Sequence, residues 1–66
     1  MRNFNPDGWY EIRVEKNGRQ CGKTKVRQFK NEQQLILTGR TLAGKGKFCY
    51  ITQQGNRKHN QWSFGN

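Results

Sequence analysis

Cysteine and histidine are scarce: the 66-residue chain has two cysteines, Cys21 and Cys49, and one histidine, His59. A structural zinc site takes four ligands with paired spacing, so no metal is expected, and nothing calls for a cofactor. A single Cys21–Cys49 disulfide remains open, but one bridge is too few for a stapled secreted scaffold. The N-terminus has no signal-peptide pattern, and a cytosolic chain with reduced thiols is the simplest expectation. Nucleophiles with a neighbouring base are also lacking. Ser63, Cys21 and Cys49 have no evident partner, and His59 lies between Lys58 and Asn60 as a solvated loop histidine would. No enzyme is therefore expected; the exception to weigh is a small RNase in which His59 or Tyr50 exchanges a proton. Apolar runs such as Leu35-Ile36-Leu37 fall far short of a membrane span, so no membrane partner is expected. Acids are few as well: Asp7, Glu11, Glu15 and Glu32 are the only four, none after position 32.

What is present is positive charge. Thirteen Lys and Arg give a net charge of +9 and a pI near 10.3, the balance of a chain that meets a polyanion, nucleic acid being the commonest. The second half carries Arg40, Lys45, Lys47, Arg57 and Lys58 with no carboxylate to oppose them. Charge that serves solubility alone is the competing reading. Length sets a single domain over 1–66. The twelve Leu, Ile, Val and Phe residues are sparse enough to raise the question of disorder, but eight aromatics offer large buried areas. A folded, marginal domain is expected, aided by a ligand or by self-association as a homo-oligomer.

An N-terminal arm, 1–8, ends in a turn at Pro6-Asp7-Gly8. From Trp9 to Phe29, period-2 alternation flanks Asn17-Gly18 and predicts a hairpin. A two-residue loop would set Ile12 opposite Lys23 and Tyr10 opposite Lys25, an apolar face against a charged one. A three-residue loop, Lys16-Asn17-Gly18 with a G1 bulge, pairs Glu15 with Arg19 and gathers Tyr10, Ile12, Val14, Thr24 and Val26 on one face. The opposite face then carries Trp9, Glu11, Arg13 and Glu15 with Cys21, Lys23, Lys25 and Arg27, and Glu11 faces Lys23. The segment Gln33–Thr38 reads as a strand because it is short, apolar and followed by Gly39. A short helix capped by Asn31, with Gln34 at the capping-box position, is the alternative. Strands at Phe48–Gln53 and Gln61–Phe64 complete about five. The fold class expected is all-β: a small antiparallel sheet, curled or closed as an SH3-like or OB-like barrel.

The stretch Gly44 to Thr52, GKGKFCYIT, resembles the nucleic-acid contact strand of RRM and cold-shock domains, in which a basic residue and glycine precede alternate aromatics. The likeness spans about eight residues; Lys47 is extra, and Cys49 stands where glycine or alanine is usual. Its content is physical: bases have flat apolar faces, and rings beside cations suit them. Phe48 and Tyr50 share one side of a strand, Trp62 and Phe64 repeat that spacing, and neighbouring strands would join all four rings into one patch. Without those rings the core would rest on Tyr10, Ile12, Val14, Val26, Leu35, Leu37, Cys49 and Ile51, which is thin. The Phe48/Tyr50 face is therefore read as core, with Tyr50 or Trp62 reaching the surface by its polar tip.

These residues point to a non-enzymatic nucleic-acid-binding protein. Lys45, Lys47, Arg57 and Lys58 contact phosphates from glycine-containing loops, helped by Arg40, with Tyr50 and Trp62 available to stack. The hairpin face with Lys23, Lys25, Arg27 and Trp9 is a second candidate surface. Single-stranded DNA or RNA is modestly preferred, since no recognition helix is evident. The alternative is a protein–protein interaction module or inhibitor, of the accessory kind carried by mobile elements, that covers an acidic patch on a host protein.

Overall fold

Alternation decides which side of each strand is buried. The computed structural model describes residues 4–44, 46–57 and 59–65. In strand β1 (Tyr10–Lys16), Tyr10 and Ile12 are buried and Val14 half-buried, while Arg13 faces solvent. The turn that follows has two residues. Asn17 at φ 54° and Gly18 at φ 78° both occupy the left-handed region, and Lys16 pairs with Arg19 in β2 (Arg19–Gln20). This is the turn geometry whose twist matches a hairpin, and it corrects the three-residue bulged loop expected from the face-sorting argument.

The expected sorting fails for a physical reason. Cys21 N still donates to Val14 O at 2.7 Å, after which the chain loops out through Gly22, at φ 75°. Gln20 Nε2 staples that loop, donating to Gly22 O at 3.0 Å and to Thr24 Oγ1 at 3.1 Å. Strand β3 (Lys25–Arg27) then rejoins β1 with Ile12 opposite Lys25, Glu11 opposite Val26 and Tyr10 opposite Arg27. Two residues have been inserted, and two is even, so the facing of the simple hairpin is preserved. Lys25 and Arg27 share the side of Ile12 and Tyr10, Val26 shares that of Glu11, and Glu11 does not face Lys23.

Gln33–Thr38 is helical, which corrects the expected strand. Helix α1 (Glu32–Leu42) is capped by Asn31, whose side chain accepts from Gln34 N at 2.9 Å, and Glu32 places an acid in the first turn. Gln34 Oε1 accepts in return from Lys30 N at 3.4 Å, one residue before the capping-box position. Strands β4 (Lys47–Gln53) and β5 (Gln61–Gly65) follow. All pairings are antiparallel: β1 and β4 lie in the centre, β2 and β3 share the outer side of β1, and β5 lies outside β4. The result is mostly sheet with one short helix. Among the described residues β5 does not pair with β2 or β3, so the sheet is open.

Helix α1 packs across β4 and β5 on one face only. Beneath it lie Tyr10, Ile12, Phe29, Leu35, Ala43, Cys49, Ile51 and Trp62, all buried, with Phe4, Val14, Ile36 and Phe64 against them. Tyr10 is the hub. Its ring stacks on Phe4 at 5.5 Å and meets Phe29 and Trp62 edge-on at 5.9 and 5.8 Å, geometries that aromatic quadrupoles favour. Its hydroxyl accepts from Asn5 N and donates to Asn5 O, fixing the arm to the sheet. Trp62 Nε1 donates to Glu32 Oε2 at 3.0 Å and so ties β5 to the helix start. Both thiols are free, Cys21 exposed and Cys49 buried, and burial pushes the Cys49 thiol pKa up. Among the described residues, no helix is long and apolar enough to cross a membrane.

Candidate functional site

Cys49 and Ile51 point under the helix, so Phe48, Tyr50 and Thr52 lie on the opposite face, which no helix covers among the described residues. Register builds that face in rows. Phe48 lies between Glu15 and Gly65, Tyr50 between Arg13 and Ser63, and Thr52 between Glu11 and Gln61. The expectation that the Phe48/Tyr50 face is core is therefore overturned, although Tyr50, the ring expected to reach the surface, does so half-buried. The supply of buried aromatics explains why: Trp62 and Phe29, at 2% exposure each, fill the space that those rings were thought to be needed for.

Phe48 is 44% exposed, and its ring occupies the space that a side chain on Gly65 would require. A glycine opposite an aromatic on an edge strand lets the ring lie over backbone. The Arg13 guanidinium carbon lies 5.4 Å from the Tyr50 ring centroid, and Arg13 Nε is 3.2 Å from Glu15 Oε2. Arg57 reaches in from the loop after β4 to pair with Glu11 at 2.6 Å. Glu11, Arg13, Thr24, Tyr50, Thr52, Arg57 and Gln61 together line a hollow of about 230 Å³. The face thus combines two rings, two guanidinium groups and uncharged hydrogen-bonding side chains, with each carboxylate answered by an arginine.

The expected site residues divide. Tyr50 and Arg57 belong to this face. Trp62 does not: it pairs with Ile51, Phe64 pairs with Cys49, and both lie on the helix side, so the four rings form no common patch. Lys47 lies opposite Lys16 and on the helix side. There it lines a second hollow, of about 200 Å³, with Lys23, Lys25, Cys21, Ile12, Val14 and Leu42. Of the loop candidates Lys47 thus joins Lys23 and Lys25 of the hairpin, while Arg57 lies on the other face. Arg27 is engaged locally, its guanidinium carbon 4.7 Å from the Phe29 ring centroid. Arg40 stands at the β5 side near Phe64 and Gly65. Trp9 is 51% exposed just before β1. Lys45 and Lys58 lie outside the described residues.

Arg13, Thr52 and Gln61 were not foreseen as members of one site, and Phe48, weighed as a stacking ring, was set aside as core. The signal that finds them is the alternation of β4 taken together with a covering helix, and it requires knowing which face that helix covers. Comparison of the chain with protein-family models, with curated proteins and with solved structures finds no match.

Proposed function

We propose that this chain binds single-stranded nucleic acid across the open sheet face, without catalysing a reaction. Bases stack on Phe48 and Tyr50, Arg13 and Arg57 contact phosphates or stack beside them, and Thr52, Gln61 and Ser63 supply hydrogen bonds. The observation that carries the reading is the facing of β4, which leaves two aromatic side chains on an uncovered face. Burying both rings under the helix was open to this sequence, and a strand one residue out of register would have done it. A net charge of +9 supplies the long-range attraction. A single strand suits the site better than a duplex, because stacking needs bases whose faces are accessible.

The test is titration of fluorescent single- and double-stranded oligonucleotides at several salt concentrations. The expected result is binding with a linear fall of log K with log salt, tighter for the single strand, and weakened by Phe48→Ala with Tyr50→Ala. Each stacked base is worth about 1–3 kcal/mol by alanine substitution, so the double variant loses at least about ten-fold. Absence of binding at low salt refutes the proposal. A flat salt response refutes it as well, since phosphate contacts must release counterions.

A further inference from the structure

The second hollow, on the helix side, holds an arrangement that folding alone does not call for. Lys23, Lys25 and Lys47 converge on a floor of Ile12, Val14 and Leu42, and Lys16 is the register partner of Lys47. Like charges gathered over a partly exposed apolar floor repel one another and leave Leu42 and part of Val14 wet. None of the chain's four acids answers them. Glu11 pairs with Arg57 and Glu15 with Arg13 on the other face, Glu32 accepts from Trp62, and Asp7 lies in the turn of the arm. Among the described residues none of the three lining lysines has an ion-pair partner, and no carboxylate lines the hollow.

The two hollows meet at the interruption between β2 and β3. Thr24, in the looped-out segment, lines the hollow of the open face, while Cys21, Lys23 and Lys25 around it line the lysine hollow. The edge of the sheet is notched there, stapled by Gln20, with Gly22 at φ 75° and open space around its Cα. A flexible chain lying on Tyr50 and Arg13 can cross the edge at this notch without displacing a paired strand.

We propose that the lysine hollow is a phosphate site for nucleotides: Lys23, Lys25 and Lys47 hold the phosphate, and the sugar or base rests on Ile12, Val14 and Leu42. In the form that rests on the function proposed above, the phosphate belongs to the strand bound on the open face, which turns over the notch to reach it. A free nucleotide presents the same chemistry, and the experiment separates the two sources.

Cys21 is a built-in reporter, because it lines the hollow and is exposed, whereas Cys49 is buried. The native protein is alkylated with iodoacetamide, an uncharged reagent that the lysines do not attract, and labelling is followed by mass. Inorganic phosphate, a mononucleotide and a single-stranded oligonucleotide are compared, and labelling at Cys49 reports any unfolding. At about ten times its Kd, each nucleotide ligand is expected to slow Cys21 labelling by about ten-fold, in line with the fraction left unbound. Inorganic phosphate, lacking a group for the apolar floor, is expected to need a higher concentration. Lys23→Gln with Lys25→Gln and Lys47→Gln abolishes the protection; Phe48→Ala with Tyr50→Ala leaves protection by the mononucleotide intact. An oligonucleotide that binds without slowing Cys21 overturns the hollow and leaves the open-face reading standing. Protection by the mononucleotide with no oligonucleotide binding upholds the hollow for free nucleotides and overturns the open-face reading.

Discussion

Replacing Gly39 by alanine sets two effects of opposite sign against each other, and the structure says which wins. Gly39 is a buried residue inside α1, where alanine is favoured over glycine by about 1 kcal/mol. A Cβ at that position would meet three adjacent atoms of the Phe64 ring, Cδ2, Cε2 and Cζ, well inside contact distance. Rotating the ring does not clear three neighbouring atoms at once, so the ring or the helix must shift bodily. Overpacking of this kind costs about 1–3 kcal/mol, which outweighs the helix gain and leaves a net loss of about 1 kcal/mol. With an unfolding entropy of about 2.1 cal/mol/K per residue, the 66-residue chain loses about 7 °C in Tm for that change. Thermal melts by circular dichroism give the number, and a double-mutant cycle isolates the cause. In a Phe64→Ala background the obstruction is gone, and Gly39→Ala must become stabilising. A rise in Tm on Gly39→Ala in the native background would refute the seating of Phe64 on the helix, and with it the assignment of the covered face.

Three further outcomes follow from local geometry. Gly18→Ala puts a side chain on a residue at φ 78°, and the left-handed conformation costs about 1–2 kcal/mol, read as a lower urea midpoint. Glu32→Ala removes the acceptor of the Trp62 indole and an acid in the first turn of the helix, a loss of about 1–2 kcal/mol, whereas Glu32→Gln keeps an acceptor oxygen and recovers part of it; chemical denaturation of the pair checks this. Arg57→Ala breaks an ion pair whose arginine is mostly exposed, so stability changes by less than about 1 kcal/mol, while the salt slope of nucleic-acid binding falls by about 0.7 if the residue meets a phosphate.

Strand-forming stretches with clear alternation were legible in the sequence: β1, β4 and β5 lie where period 2 puts them, and the Pro6-Asp7-Gly8 turn closes with Gly8 N donating to Asn5 O at 3.1 Å. Gly39 misled, since a glycine after an apolar run reads as the end of a strand, whereas it is the seat of an aromatic ring inside a helix. That single misreading propagated. Without the helix, the supply of buried side chains looked too small to spare Phe48 and Tyr50; with it, Ala43 and Ile36 join Leu35 above the buried Trp62 and Phe29, and the rings are released. The hairpin misled differently. Pairing an apolar face with lysines is a poor sheet by energy, and the chain adopts it nonetheless because Asn17-Gly18 enforces a two-residue turn and the later insertion is even.

The distribution of charge gives the two faces different electrostatic signatures. On the open face Glu11 and Glu15 offset Arg57 and Arg13, so that surface is locally balanced, and under the proposed reading its hold on a strand rests chiefly on the rings. The unopposed cations lie at the sheet edge and in the lysine hollow. Slope and intercept in a plot of log K against log salt should therefore separate. Counterion release contributes about 0.7 to the slope for each phosphate neutralised on a single strand, so substituting Lys23, Lys25 and Lys47 by glutamine flattens the slope by about two units if all three are engaged. Affinity extrapolated to 1 M salt stays nearly unchanged in that variant, since little electrostatic contribution survives there. Phe48→Ala with Tyr50→Ala does the reverse: the line drops at every salt concentration and keeps its slope. Should the lysine variant shift the line without flattening it, or the ring variant flatten it, the division of labour between the two faces is wrong.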